Sequence, residues 1–405
     1  MELGCIHVPW NRKTLGSLTQ PLGQENRRNR LSDVREFEDD AWTLFTGRSA
    51  GSPDLHAVRE SIAGKRVLVT GAGGFIGSAL SSELAKADPA ELVLLDVGEL
   101  GLHQLDYDLQ RAGVSLRKRL VVGSVRDSAL IDQIFRQYRP QVVFHAAACK
   151  HVPLMEANPF TAASTNILGT QLIVETAVAA GAEQCILLST DKAVDPDSIM
   201  GATKRVAELI LLAKCTPTEM KALRLGNVLG SSGSVVPLFL DQISRGGPVT
   251  VTDSRATRYF LPVREAVQHL LATLAIPVSP AILVPDMGEA HSICDLARFL
   301  IARTSQNTTH VEITFTGLRP GDKVAERMIS TREHLATPAI KGLYRVQTST
   351  IPSAELSRCL EKIQAAVSER DLAPLLNAIQ EIVPEYRPSN LLKHDLAAAP
   401  EVPSA

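Results

Sequence analysis

A run of β-branched and aliphatic residues, RVLVT (Arg66 to Thr70), passes without a gap into TGAGGFIG (Thr70 to Gly77) and then into a stretch with helical spacing. A strand that turns directly into a helix through Gly71, Gly74 and Gly77 leaves the backbone few options. One glycine makes the tight turn, a second lets an anion approach the main chain, and a third lets helix and strand touch. The first helical amides then face the anion. Gly73, Phe75 and Ile76 complete the backbone around the turn. Asp96 closes the next apolar run, 19 residues after Gly77, where a carboxylate would accept ribose hydroxyls. The combination points to a dinucleotide site. Val97 to Gly101 include no Arg or Lys for a 2′-phosphate, so NAD is expected rather than NADP.

Beyond Lys65 the chain alternates short apolar runs with helix-period stretches. The runs after RVLVT are ELVLLD (Glu91 to Asp96), LVVGSV (Leu120 to Val125), QVVFHAAA (Gln141 to Ala148) and CILLST (Cys185 to Thr190). Most read as strands buried on both faces. Ser78 to Ala87 and Leu168 to Ala180 carry helical spacing between them. This alternation predicts an α/β fold, a doubly wound parallel sheet of the Rossmann kind with right-handed crossovers. MKALRLGN (Met220 to Asn227) and AILVPDMG (Ala281 to Gly288) extend the sheet. The expected division is a polar tail and lead-in at 1–60, an NAD-binding domain at 61–227, a substrate-binding insertion at 228–280, a returning strand at 281–288, a smaller substrate-binding and helical C-terminal region at 289–392, and a disordered tail at 393–405. Ligands of such sheets lie beyond the carboxyl ends of the strands. Ser124 and Val125, and Ala146, Ala147 and Ala148, are candidate cofactor contacts.

With 42 Lys plus Arg against 44 Asp plus Glu, no global charge draws this chain to nucleic acid or to a membrane surface. Cys5, Cys149, Cys185, Cys215, Cys294 and Cys359 form no CxxC pair and no Cys/His cluster at zinc spacing, so free thiols in a reducing compartment and no metal are expected. The least charged long stretch, Leu270 to Pro285, is too short and too interrupted by proline to span a bilayer. The N-terminus has no continuous apolar region before a cleavage site. A cytoplasmic protein without a membrane span is the expectation.

CILLST ends in Ser189 and Thr190 and is followed by Asp191 and Lys192. A hydroxyl, a carboxylate and an ammonium at a strand end can offer one bound molecule a hydrogen bond, a proton donor and a base, or can be a solvated ion pair. DPDSIMGATKRVAELILL then opens a helix on which Met200 and Lys204 are one turn apart and share a face. Lys204 can reach a cofactor ribose there, while Met200 by spacing alone is core filler.

TGAGGFIG, STDK (189 to 192) and MGATK resemble the extended short-chain dehydrogenase/reductase superfamily. More narrowly, FHAAACKHVPLME (144 to 156), STDKAVDPDSIMGATKR (189 to 205), RLGNVLGSSGSVVPLF (224 to 239), TRYF (257 to 260), TGLRPGDK (316 to 323) and VPEYRPS (383 to 389) are similar to UDP-N-acetylglucosamine 4,6-dehydratases of the CapD-like polysaccharide biosynthesis type. The resemblance implies a lyase that oxidises carbon 4 of a UDP-sugar, eliminates water across carbons 5 and 6, and returns hydride to carbon 6. It implies that Thr190 holds the carbon-4 oxygen, Asp191 protonates the leaving hydroxyl, Lys192 abstracts the carbon-5 proton and Lys204 binds the nicotinamide ribose. Met200 stands where the superfamily usually has a Tyr base, and a thioether cannot remove a proton; Asp191 or a water takes that part. Long, membrane-anchored members commonly carry Met here and are associated with retention at carbon 5. They also carry upstream transmembrane helices and a second nucleotide-binding domain, of which only a polar remnant stands before Val34, so a soluble homo-oligomer is expected.

Cys149 stands where the family usually has an aromatic residue or Leu, and Ser124 where an Asp often lies near the adenine. Lys150 and His151 enter the cleft as substrate contacts or as a structural loop pair, and Asn166 resembles the superfamily's buried Asn or is a satisfied core amide. Asn227 precedes GSSGS, a turn with free amides suited to a diphosphate, and Arg258 and Arg319 are candidate cations for it. A 4- or 5-epimerase on the same fold and an NAD-binding sensor without turnover are the alternatives.

Overall fold

The computed structural model describes residues 39–48, 55–113, 116–214, 216–231, 233–304 and 311–398. Cys5, Cys215, Ser232 and the polar segment 1–35 lie outside these residues. In chain order the elements are α1 (Asp39–Thr46), α2 (Leu55–Ile62), β1 (Arg66–Thr70), α3 (Phe75–Leu84), β2 (Glu91–Asp96), α4 (Glu99–Arg111), β3 (Lys118–Val122), α5 (Ser128–Tyr138), β4 (Val142–His145), α6 (Val152–Glu156), α7 (Pro159–Ala163), α8 (Gly169–Ala179), β5 (Gln184–Thr190), α9 (Ile199–Leu212), β6 (Glu219–Leu225), β7 (Asn227–Val228), α10 (Val235–Ser244), β8 (Val249–Val251), β9 (Thr257–Arg258), β10 (Phe260–Leu261), α11 (Val263–Ala272), β11 (Ala281–Pro285), β12 (His291–Ser292), α12 (Ile293–Thr304), β13 (Ile313–Phe315), β14 (His334–Ile340), β15 (Leu343–Gln347), α13 (Ser353–Glu369), α14 (Leu372–Ile382) and α15 (Asn390–Ala398).

The main sheet runs β14-β15-β11-β6-β5-β4-β1-β2-β3. From β3 to β11 neighbouring strands are parallel, and β15 and β14 are antiparallel additions. The strand order reverses between β1 and β4, and ligands bind at such a switch point. Central strands follow the apolar runs of the sequence: Val67, Leu68, Val69, Val142 and Val143 are wholly buried. Each such side chain contributes about 1.5–3 kcal/mol of burial free energy. A second, smaller core forms around Phe239, Val249, Phe260 and Leu296, and α1 docks on it through Trp42.

Three expectations differ from the structure. LVVGSV reads as a buried strand, but β3 is the sheet edge, and Leu120 and Val122 are exposed because among the described residues no further strand pairs with it. The hairpin β14–β15 turns at Lys341 and Gly342 and makes the far edge antiparallel. Residues 393–398, expected in a disordered tail, continue α15, because Leu392 and Leu396 sit one turn apart and pack on the main core. No described helix is long and apolar enough to cross a membrane. Cys149, Cys185, Cys294 and Cys359 are free.

Candidate active site

The glycine turn is built as its spacing requires. Gly71 has φ +70°, and a Cβ on it would lie 2.6 Å from the Ala147 amide nitrogen, so β1 and the segment after β4 touch through bare backbone. A Cβ on Gly77 would overlap the Gly71 carbonyl. Gly74 caps α3 with no side chain over the helix end, leaving its first amides for an anion. Phe75 and Ile76 form that first turn and pack on the core edge. Asp96 lies beside the turn and accepts from the Gly73 amide (2.9 Å) and the Gly98 amide (2.8 Å), with lone pairs left for a ribose. These residues fit a dinucleotide. Gly71→Ala is therefore expected to weaken NAD binding at least about tenfold by titration calorimetry, since a left-handed residue with a Cβ costs about 1–3 kcal/mol before any clash. Unchanged affinity would mean that the turn does not face the cofactor.

Around the rest of that wall, Ser124 accepts from the Arg126 amide (3.1 Å) and is spent on its own turn. Val125 is buried against Gly169. Ala146, Ala147 and Ala148 follow β4 and are pinned from both ends. Thr170 Oγ1 donates to the Asn166 carbonyl (2.7 Å) and so accepts from His145 Nε2 (3.0 Å), which puts the ring proton on Nε2. Nδ1 then accepts from Thr70 Oγ1 (2.7 Å), which in turn accepts from the Ala147 amide (3.4 Å). Burial, helped by Lys204, holds His145 neutral with its pKa down to about 3. At the other end Asn166, wholly buried, accepts from the Cys149 amide (2.8 Å) and donates to the Cys149 carbonyl and to Thr203 Oγ1 (both 3.0 Å).

The triplet closing β5 is compact. Asp191 is wholly buried, and its Oδ1 accepts from Thr190 Oγ1 and from Lys192 Nζ, each at 3.0 Å. Lys192 Nζ also donates to Asn227 Oδ1 at 3.0 Å. Asp191 Oδ2 is buried without a partner. An unpaired buried carboxylate oxygen costs free energy unless a ligand supplies a donor. The segment that follows is braced by the C-terminal region: Lys323 Nζ donates to the Val194 carbonyl, Ser330 Oγ to Asp195 Oδ1 and the Arg387 amide to the Pro196 carbonyl. Ser198 caps α9 by accepting from the Gly201 amide, and Glu156 Oε1 accepts from the Ile199 amide. Burial raises the Glu156 pKa, against the opposing bond from the Ile199 amide.

Met200 is 2 % exposed and belongs to the main core. Lys204 is 4 % exposed and donates from Nζ to the Leu188 carbonyl at 2.7 Å. Burial lowers its pKa to about 8, with Glu208 opposing. Lys150 keeps exposed surface, yet the surrounding cleft walls and then Lys192 lower its pKa. His151, also exposed, is lowered by its surroundings, by Lys150 and by Arg319, and its ring packs where a Gly233 Cβ would be. Lys150, Lys192 and Arg319 thus bring positive charge to one side of the site, and this charge helps keep the His151 ring neutral. Arg319 extends into solvent with Nε on Asp322 Oδ2 (2.8 Å). Arg258 differs: its guanidinium donates to the carbonyls of Thr257, Lys323 and Val324, so it shapes the loop beside Arg319.

Sequence reasoning missed a buried cluster behind the triplet. Arg224 spends all five donors, on Glu208 Oε1 and Oε2, Glu333 Oε1 and Oε2, and the Met328 carbonyl. Glu208 also accepts from Ser189 Oγ (2.7 Å) and Arg205 NH1 (2.9 Å). The available signal was a charged residue inside the apolar run MKALRLGN.

The profile of the polysaccharide biosynthesis protein family matches residues 67–348. The chain is 44% identical over 332 residues to the probable polysaccharide biosynthesis protein EpsC of Bacillus subtilis, covering 81% of this chain and 54% of that protein. It is 32% identical over 292 residues to the inverting UDP-N-acetylglucosamine 4,6-dehydratase of Campylobacter jejuni (70% and 83% covered). It is also 32% identical over 291 residues to the UDP-glucose 4-epimerase of Rickettsia akari (70% and 82%). Among solved structures, Pen from Bacillus thuringiensis superposes with a TM-score of 0.64 at 26% identity, covering 72% of this chain and 90% of that one. The chain spans about half the length of EpsC. With its profile matched across the sheet and the site, the chain belongs to the polysaccharide biosynthesis protein family.

Proposed function

We propose that this chain is an NAD-dependent nucleotide-sugar 4,6-dehydratase that converts UDP-N-acetylglucosamine to a UDP-4-keto-6-deoxy sugar for surface glycan synthesis. The observation that carries the reading is Asp191, buried between a hydroxyl and an ammonium with one oxygen unclaimed. Gly71, Gly74, Gly77 and Asp96 would hold the dinucleotide. The chemistry that bound NAD would supply is removal of hydride from carbon 4 and, after water has left, its return to carbon 6, so that the carbon-4 ketone remains in the product. Thr190 Oγ1 orients the carbon-4 oxygen. Asp191 Oδ2 takes the carbon-4 hydroxyl proton, which the Met200 thioether cannot accept, and then delivers it to the departing 6-hydroxyl. Lys192 takes the carbon-5 proton, made acidic by the neighbouring ketone, and gives it back to carbon 5 as hydride reaches carbon 6, and Asn227 fixes its position. Lys150 and Arg319 supply the positive field for a diphosphate, and the neutral His151 ring offers it a hydrogen bond.

An epimerase needs no acid for a leaving hydroxyl, and a sensor needs none of the triplet. Incubation of the purified protein with NAD and UDP-N-acetylglucosamine is expected to yield a product lighter by one water in mass spectrometry. Conversion without a mass change would make it an epimerase, and an unaltered sugar would end the catalytic reading.

A further inference from the structure

The segment just before residue 49 carries an arginine whose placement the reaction above does not explain. Arg48 follows α1, which is fastened to the smaller core by Trp42, 4 % exposed, and by Phe45, whose ring lies 5.1–6.0 Å from the rings of His291, Phe299 and Phe260. From that anchor the Arg48 guanidinium, 20% exposed, reaches three separate acceptors. NH1 donates to the Asp286 carbonyl (2.8 Å), and NH2 donates to the Phe260 carbonyl (3.0 Å) and to Glu265 Oε2 (3.2 Å). Its aliphatic stem packs where a Gly288 Cβ would sit, 3.0 Å from Cδ.

Two of these contacts converge on one point. Phe260 is registered opposite Asn227 in the β10–β7 pair, and the Asn227 amide donates to the Tyr259 carbonyl at 2.7 Å. Asp286 and Gly288 flank Met287, whose Cε would lie 3.0 Å from a Cβ on Gly226; the Tyr259 carbonyl would lie 2.7 Å from the same Cβ. Gly226 and Asn227 are thus held between two short segments, 259–260 and 286–288, that share Arg48 as their common donor. Asn227 Oδ1 in turn accepts from Lys192 Nζ at 3.0 Å.

We infer that Arg48 is a positioning residue for the Lys192 ammonium: it clamps the Phe260 and Asp286 carbonyls, and through them sets the backbone of Asn227, the side chain that aims Lys192. Arg48 touches neither the triplet nor the dinucleotide wall, so its effect separates from cofactor binding. A planar guanidinium is suited to this, because three acceptors in different directions need a fork of donors that a lysine lacks.

The test compares wild type, Arg48→Gln and Arg48→Lys in the full chain. The first readout is the pH dependence of Lys192 acetylation by limiting acetic anhydride, followed by mass spectrometry against surface lysines as internal standards. Both variants are expected to shift Lys192 labelling several-fold, with NAD affinity by calorimetry unchanged. Arg48→Lys tests the inference with a milder lesion should Arg48→Gln compromise folding. An unchanged Lys192 profile in a folded variant overturns the inference. The catalytic consequence rests on the dehydratase reading: turnover falls by roughly 10- to 100-fold at constant KM, the scale expected of a small misplacement of a reacting group. A wild-type protein that leaves the sugar intact would refute that reading, while the labelling comparison would still decide the role of Arg48.

Discussion

Asp191→Asn is expected to lower turnover of the nucleotide sugar by roughly 10² to 10⁴-fold, the range associated with a positioned proton-transfer group. The substitution is nearly isosteric. An amide oxygen can still accept from Thr190 and Lys192, as Oδ1 does at 3.0 Å from each. The unclaimed Oδ2 becomes an NH2 that can neither take a proton from the carbon-4 hydroxyl nor deliver one to the leaving oxygen. NAD affinity is expected to stay at the wild-type value, because Asp191 makes no contact with the glycine turn. Steady-state kinetics together with NAD titration check this. Full activity in Asp191→Asn would show that another group, such as a bound water, moves the proton.

The second large effect is on stability. Arg224→Met is expected to destabilise the chain by about 3–5 kcal/mol, read from the urea midpoint, because removing one partner strands buried opposite charges. Arg224 is wholly inside, with Glu208 and Glu333 each on two of its hydrogen bonds. Burial disfavours its charge, but Glu208 and then Glu333 outweigh this and raise its pKa. Burial likewise opposes the Glu208 carboxylate, yet Arg224, Arg205 and Ser189 hold its pKa at about 2. The sign follows from that depression. The pairing stabilises the fold fully above the ordinary glutamate value of 4.5, and the contribution is lost as pH falls towards about 2. Wild type should therefore lose more stability than Arg224→Met across that window. Adding Glu208→Gln and Glu333→Gln to Arg224→Met should recover part of the loss, since neutral amides need less compensation when buried. A loss under about 1 kcal/mol in the single variant would place the cluster with weak surface pairs.

What the chain's sequence disclosed, and what it hid, follows from the range of the interactions. The strand, turn and helix from Arg66 to Leu84 are decided by neighbours a few residues apart, so the glycine spacing and Asp96 could be read directly. Thr190, Asp191 and Lys192 are adjacent, and their mutual hydrogen bonds are local. By contrast, LVVGSV reads as apolar, but β3 is KRLVV at the sheet edge, and among the described residues no further strand pairs with it, which leaves Leu120 and Val122 in water. The Glu208–Arg224–Glu333 cluster joins residues over 100 positions apart, and no period announces such a pairing. Arg258 looked like a free cation because a backbone carbonyl acceptor has no sequence signature. Asn166 was legible only as an ambiguity; its bonds to both polar groups of Cys149 make it a fixed part of the cleft wall.

The loop after the triplet depends on Arg387, whose amide reaches the Pro196 carbonyl, just before the Ser389 hydroxyl accepts from the Leu392 amide at the start of α15. Synthesis runs from the amino end, so the strands and glycine turn exist long before these partners emerge from the ribosome. The brace on the loop beside the triplet therefore becomes available only after the strands and the glycine turn have been made.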